Sequence, residues 1–183
     1  MIYLIPLKIL GLTVGLLLLL GHAVAFFQEA RVKAWLKTFP RSRVMATVLL
    51  AVAAVWSFLL IRSIDLGEFS GLRQIILVAI PVGAVLSWVY VPEFLAARAL
   101  GMVLLLAAEP LLESAVLRDE PSRLLLVVLA YVWVVAGLFL VGMPFLLRDA
   151  IGWITANGMR WRLAVLGGIA YGLAVLIAAV FLW

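Results

Sequence analysis

The chain contains no cysteine and only one histidine, His22. Without cysteine it forms no disulfide, thiolate metal site, cysteine-ligated iron–sulfur cluster or cysteine nucleophile of its own. A single histidine excludes multi-histidine metal sites, and it excludes haem held by two histidines of this chain. These absences remove many redox and metal enzymes from the functions that the chain could perform alone.

Charge is also scarce. Asp, Glu, Lys and Arg make up 13% of the 183 residues, whereas 68% are hydrophobic. Soluble domains carry about 25% charged residues, so this chain cannot cover its apolar surface in water and must be dissolved largely in lipid. In lipid every backbone polar group is paired within the protein, which leaves helices or closed barrels. The apolar runs are continuous, not alternating, and this pattern favours helices.

Catalytic and nucleotide-binding motifs are missing as well. The sequence has no GxSxG, no P-loop, no GxGxxG and no metal-ligand spacing. We therefore expect a non-enzymatic protein without a metal site. The net charge of +5 does not indicate a nucleic-acid partner, because positive-inside bias and anionic lipid explain basic residues in a membrane protein.

What the sequence does contain is six long apolar segments. The length of each segment is close to the roughly 17–25 residues that a helix needs to cross a hydrocarbon core. They predict an all-α, polytopic integral membrane protein with one transmembrane domain over residues 1–183. The predicted spans are residues 2–27, 44–61, 74–91, 92–116, 124–147 and 163–183. The first span also fits a signal peptide with an Ala23-Val24-Ala25 cleavage site, but we expect it to be retained.

Two shorter segments combine basic and aromatic residues. Residues 28–43 predict a short amphipathic helix that ends at Pro40. Residues 148–162 predict a second interfacial segment, with a helix-stop or turn signal at Asn157-Gly158. We expect both to lie at the cytoplasmic face of the membrane.

The distribution of charge predicts an orientation. Basic residues outnumber acidic ones in the three odd-numbered connections, where only Glu29, Glu93 and Asp149 are acidic. The basic residues there are Arg31, Lys33, Lys37, Arg41, Arg43, Arg98, Arg148, Arg160 and Arg162. The positive-inside rule places these connections in the cytoplasm. The prediction is three helical hairpins with both termini outside, in a membrane such as the inner membrane of a bacterium.

The fourth predicted span, residues 92–116, carries charges within its apolar run. Arg98 and Glu109 are eleven residues apart, which puts them on nearly the same side of a helix. They are about 16 Å apart along the axis, too far for an ion pair. Glu113 follows one turn later. Because charges in lipid are costly, the stripe predicts a polar path or a partner contact. The alternative is that the side chains of Arg98 and Glu109 extend to the membrane interface nearest to each.

Other polar and small residues on the spans favour helix packing. The pairs Gly11–Gly15 and Gly168–Gly172 each form a GxxxG motif, which predicts a face where another helix approaches closely. His22 is a candidate ligand for haem or chlorophyll. A hydrogen bond to a neighbouring helix is the interpretation we favour for it, so no cofactor is predicted.

Together these features predict a small, loop-poor subunit or scaffold that packs against other integral membrane subunits, or against itself, within a larger complex in the lipid bilayer. A small transporter or channel that uses Arg98, Glu109 and Glu113 is the second hypothesis. A cofactor-carrying subunit that uses His22 is the third. No motif in the chain is specific to one family.

Overall fold

The computed structural model describes residue 3 and residues 5–183. In this part the chain is all-helical, and six of its helices are long and apolar enough to cross a membrane. The prediction of an all-α membrane protein with six such helices is therefore confirmed. The helices are α1 (Leu7–Phe27), α2 (Glu29–Thr38), α3 (Arg43–Ser63), α4 (Arg73–Tyr90), α5 (Leu95–Ala115), α6 (Leu124–Gly142), α7 (Phe145–Thr155) and α8 (Gly158–Phe181). The shorter helices are α2 and α7.

The first helix is shorter than the predicted span. That span was predicted to begin at Ile2, which lies outside the described residues, whereas α1 begins at Leu7 directly after Pro6. Proline lacks a backbone N–H and has a fixed φ, so it is well suited to the start of a helix. Tyr3 therefore lies outside the helix, and it contacts another part of the protein.

The boundaries around α7 also differ from the prediction. The fifth span was predicted to reach Leu147, but α6 ends at Gly142 and α7 begins after Pro144. Proline cannot donate the hydrogen bond that would continue α6. Asn157-Gly158 was predicted as a helix-stop or turn signal, and α7 does end just before it, at Thr155. The Asn157 side chain also accepts a hydrogen bond from the Met159 N–H at 2.8 Å and caps the start of α8.

The central helix is α5, which packs against α3, α6 and α1. Ten of its 21 residues are buried, and five of these ten are alanines. Small side chains let neighbouring helices approach α5 from several sides. In contrast, α4 packs mainly against α3, and none of its residues, all of which are described, is buried.

Two helix pairs cross closely at glycines. A Cβ atom on Gly101 of α5 would lie 2.8 Å from the carbonyl oxygen of Gly137 of α6, and the converse distance is also 2.8 Å. A Cβ on Gly15 of α1 would lie 3.2 Å from the carbonyl oxygen of Gly172 of α8. Because both crossings bring backbone close to backbone, neither pair could tolerate a larger side chain without moving apart.

The bundle has two distinct ends. The short helices α2 and α7 contact each other at one end, which we call the basic end. At the other end, the backbone N–H of Tyr3 donates to Glu113, and Trp183 Nε1 donates to Ser122 Oγ at 2.7 Å. We call this the terminal end, because Tyr3 and Trp183 both lie there beside the connection between α5 and α6.

Candidate functional site: the charged stripe of α5

Arg98 lies at the basic end of α5, in its first turn. Its Nη1 donates to the carbonyl oxygen of Val141 at 3.0 Å, one residue before α6 ends. Helix C-termini leave carbonyl groups without intrahelical partners, and a cation there also offsets the negative end of the helix dipole. Arg98 therefore holds the end of α6 against the start of α5. Its Nε is buried and has no hydrogen-bond partner among the described residues.

Three other arginines have the same role elsewhere. Arg73 donates to the carbonyl of Ile64 at 2.8 Å at the end of α3, and Arg123 donates to Ala115 at 2.8 Å at the end of α5. Arg160 donates at 3.4 Å to a carbonyl in the last turn of α7. This repeated use identifies Arg98 as one of a set of helix-capping arginines.

Glu113 lies near the terminal end of α5 and accepts a hydrogen bond from the Tyr3 backbone N–H at 3.0 Å. It lines a cavity of about 210 Å³ together with Tyr3, Pro6, Pro110 and Arg118. The carboxylate therefore holds Tyr3 at the end of α5. Glu113 thus has a structural role at this end of the bundle.

Tyr3 is held in place by a second contact, with α3. Trp56 Nε1 donates to the Tyr3 hydroxyl oxygen at 2.7 Å, and the two rings meet edge to face with centroids 6.4 Å apart. Burial raises the pKa of the Tyr3 hydroxyl above its ordinary value. The hydrogen bond from Trp56 acts in the opposite direction, and the charges of Glu109 and Glu113 raise the pKa further.

Glu109 differs from Arg98 and Glu113 in its surroundings. It makes no hydrogen bond or ion pair with another residue that the structure describes. Its side chain lines an open groove of about 510 Å³, which we call the α5–α6 groove. The groove is lined by Leu105, Ala108, Glu109, Leu112, Glu113, Val116 and Val134. All but Val134 belong to one i, i+3, i+4 stripe of α5 and its end.

The stripe predicted from the sequence is therefore present but does not act as one unit. Arg98 is three residues from the start of α5 and is engaged by α6. Glu109 is six residues from the other end, which is about 9 Å inside the helix. Between them, the close approach of Gly101 and Gly137 fills the space beside α5. The charged residue that stays available to another molecule is Glu109.

His22 is enclosed by two helices. Its Nδ1 lies 2.7 Å from the carbonyl oxygen of Leu18, which can only accept, so Nδ1 carries the proton. Nε2 and the neighbouring ring carbon lie against Gly168 of α8, in the space where a side chain would be. The hydrogen bond of His22 is thus made within α1, whereas its ring packs against α8.

The two GxxxG motifs lie in the contact between α1 and α8 of this one chain. Gly15 lies against Gly172, and Gly168 lies against His22. A Cβ on Gly11 would lie 2.9 Å from the Cβ of Ala179. These faces are occupied by the α1–α8 pair and are not free to bind a separate subunit.

Some residues that shape the site were not identified from the sequence. Gly101 and Gly137 are single glycines on different helices, without a GxxxG pattern, so no local spacing marked them. Tyr3 and Trp56 were missed because each lies in an apolar segment whose partner is distant in sequence. The one available indication was Pro6, because a helix that begins after this proline leaves Tyr3 outside it.

Among the residues that the structure describes, no cluster of three or more His, Cys, Asp or Glu side chains could hold a metal ion. Comparison with protein-family models, with curated proteins and with solved structures finds no match to this chain.

Proposed function

We propose that this protein is a non-enzymatic integral subunit of a membrane protein complex, with the α5–α6 groove as its contact for a partner helix. The observation that carries the proposal is Glu109. It is the one acidic side chain that lies well inside a spanning helix, and no described residue pairs with it. A charge near the centre of a bilayer costs at least about 2.5–3.5 kcal/mol. A partner that supplies a hydrogen-bond donor to Glu109 would offset part of this cost, and this gain would favour binding.

The groove favours a helix as the occupant. Apart from Glu109 and Glu113, its lining is apolar. A transmembrane helix with a Lys or Arg at the level of Glu109 would fill the apolar part and pair with the carboxylate.

The proposal includes an arrangement in the membrane. The six long helices form three hairpins, with α2 and α7 lying at the cytoplasmic interface and both termini outside, in an inner membrane of bacterial type. The basic end carries most of the basic residues, and the positive-inside rule directs such an end to the cytoplasm. The contact between α2 and α7 agrees with a position of both short helices at that same end.

The absence of cysteine makes the arrangement simple to test. Single cysteines at Lys37 on α2 and at Asp119 after α5 should react with an impermeant maleimide from opposite sides of the membrane. We expect labelling at Asp119 from outside and at Lys37 only after the membrane is opened. Labelling of both positions from the same side would exclude the three-hairpin arrangement.

Photo-crosslinking in intact membranes tests the partner contact. A photoreactive amino acid in place of Leu112 or Val134, which line the groove, should give a discrete cross-linked product. The matched control is Val82, an exposed residue of α4, which should cross-link to lipid alone. The product at Leu112 should decrease when Glu109→Gln is added. Equal products at Leu112 and Val82, with no effect of Glu109→Gln, would exclude the groove as a partner site.

A small transporter is the second candidate, and one observation favours it. Glu113 lines both the α5–α6 groove and the cavity at the terminal end, which gives Glu109 a route to water on one side. If Glu109 carries an ion or proton, Glu109→Gln should abolish flux in liposomes that contain only this protein. Unchanged flux would exclude it. The close crossing of Gly101 and Gly137 lies across the route to the other side.

A further inference from the structure

Three helices begin around one aromatic ring at the basic end. Phe94 immediately precedes α5, Arg41 lies two residues before α3, and Arg148 lies in the first turn of α7. The guanidinium carbon of Arg41 is 5.5 Å from the centre of the Phe94 ring, and that of Arg148 is 5.7 Å from it. Segments that are far apart in sequence thus hold two cations at a single ring.

The chain balances the positive charge around Phe94 only in part. Helix N-termini carry partial positive charge, and α3, α5 and α7 have no acidic residue in their first turns. Asp149 pairs with Arg148 at 2.7 Å, which leaves Arg41 without a hydrogen bond or ion pair to any described residue. Glu93 precedes Phe94 but makes no ion pair within the described part of the chain.

Arg41 also belongs to a narrow crevice at the same end. It lines this crevice with Arg43 and Trp88, among others. The Trp88 Nε1 donates to Thr47 Oγ1 at 3.0 Å, which fixes the indole across α3 and α4. Tryptophan is enriched where membrane-spanning helices reach the headgroups, so the crevice has the side chains expected at that depth.

An apolar groove lies further along the same helices, separate from the crevice. On α3, Ala46 lines the crevice, and Leu50, one turn further along, lines the groove. On α4, Trp88 lines the crevice, and the adjacent residue Ser87 lines the groove. The groove lies between α3, α4 and α5, has a volume of about 410 Å³, and is lined mostly by aliphatic side chains. It runs beside α4, the spanning helix that has no buried residue.

We propose that the arginines around Phe94 and the groove bind one anionic phospholipid, with its phosphodiester on Arg41 and Arg148 and an acyl chain between α3, α4 and α5. A free anion would satisfy the arginines and leave the groove empty. A zwitterionic lipid carries its own cation, which the arginines would repel. An anionic phospholipid matches both parts of the site, and basic pockets on the cytoplasmic side are known to bind such headgroups. The lipid also supplies the packing that α4 lacks.

The first test compares lipids on the unaltered protein. Purified full-length chain in detergent is titrated with phosphatidylglycerol or phosphatidylcholine of identical acyl chains, and bound lipid is counted by native mass spectrometry. We expect one tightly held phosphatidylglycerol and at least about tenfold weaker retention of phosphatidylcholine. Equal retention of the two lipids would overturn the proposal without any variant. Competition by inorganic phosphate as strong as by the lipid would also overturn it, because the ligand would then be a free anion.

The second test separates the headgroup contact from general surface charge. The double variant Arg41→Gln with Arg148→Gln should lose the preference for phosphatidylglycerol. The control Arg31→Gln with Lys37→Gln removes two charges from α2 at the same end and should keep the preference. Equal loss in both double variants would mean that the whole basic end attracts anionic lipid, and would overturn a defined site.

The third test concerns the acyl chain. A Cβ on Gly83 would meet no atom within 4 Å, so Gly83→Leu should fill the groove without displacing a helix. We expect this variant to retain less of either lipid, about tenfold, while the arginine variants change only the preference between lipids. Undiminished retention in Gly83→Leu would remove the groove from the proposal and contradict it.

Discussion

The helices α4 and α5 are neighbours in sequence and similar in length, yet their surroundings are opposite. Each contains one proline and one glycine, and each has the composition of a membrane span. Ten residues of α5 are buried and none of α4. The mean hydropathy of α5 is the lowest of the six spans, so the least apolar helix is the central one. Charges in lipid need protein neighbours, and the alanines of α5 let those neighbours approach.

The largest expected effect on stability comes from substitution of the glycine in each helix. Gly101→Ala should destabilise the protein by about 3 kcal/mol, because the new Cβ would lie 2.8 Å from the Gly137 carbonyl oxygen and must separate α5 from α6. Gly83→Ala is the matched control on α4, where open space should make the change neutral or stabilising by up to about 1 kcal/mol. Thermal unfolding in detergent measures both. Similar losses in both variants would contradict the central role of α5.

The second test compares the arginine in the first turn of each helix. Arg98→Gln should cost about 2 kcal/mol, because it removes a partly buried charged hydrogen bond to Val141. Arg73→Gln, which removes partly exposed bonds to the end of α3, should cost about 1 kcal/mol or less. Unfolding in a graded denaturing detergent would show the difference. A larger loss of stability for Arg73→Gln than for Arg98→Gln would mean that the start of α4 is held more strongly than the start of α5.

The third test concerns the charge that α5 carries without a described partner. Glu109→Gln in the isolated protein should change the free energy of unfolding by less than about 1 kcal/mol, in the stabilising direction, because a neutral amide costs less than a carboxylate in an apolar groove. The same change should weaken the binding of the proposed partner. A marked destabilisation of the isolated chain would show that Glu109 already has a structural partner and would remove the main support for the proposed function.

The smallest expected effect is at the terminal end of α5, where Tyr3 covers the helix. The folded pKa of Tyr3 is raised above its ordinary value of 10.0. Its contribution to stability is therefore complete below pH 10, and it is lost as the pH rises through the folded pKa. Tyr3→Phe should flatten this alkaline loss of stability, and ultraviolet difference absorption should show one late-titrating tyrosine fewer. An unchanged alkaline profile would place Tyr3 in water.

The sequence patterns predicted some parts of this architecture well. Hydropathy identified six helices, and Pro40 and the polar residues around it marked α2. The GxxxG pairs at Gly11 and Gly168 predicted close-packed faces, although only the structure places those faces against each other. The signal is local in each case, because apolar length, proline and residue spacing act within one helix.

Contacts between distant residues were beyond such patterns. Gly101 and Gly137 meet because two separate helices cross there, and either glycine alone has no distinctive neighbours. Tyr3 reaches Glu113 across most of the chain. Arg98 was grouped with Glu109 from their spacing, but the nearby end of α6 engages Arg98 and leaves Glu109 to the groove. Spacing gives the side of a helix and not the molecule that faces it.

The sequence by itself determined that this chain lies in lipid as helices. So apolar a surface cannot be hydrated, and a backbone in hydrocarbon must pair its own polar groups. Only the tertiary structure decided which helix is central, which charges are satisfied within the chain and where a lipid or a partner could bind. The physical reason is that lipid solvates every apolar helix face about equally. The choice of neighbours then depends on how closely small residues on distant segments fit together.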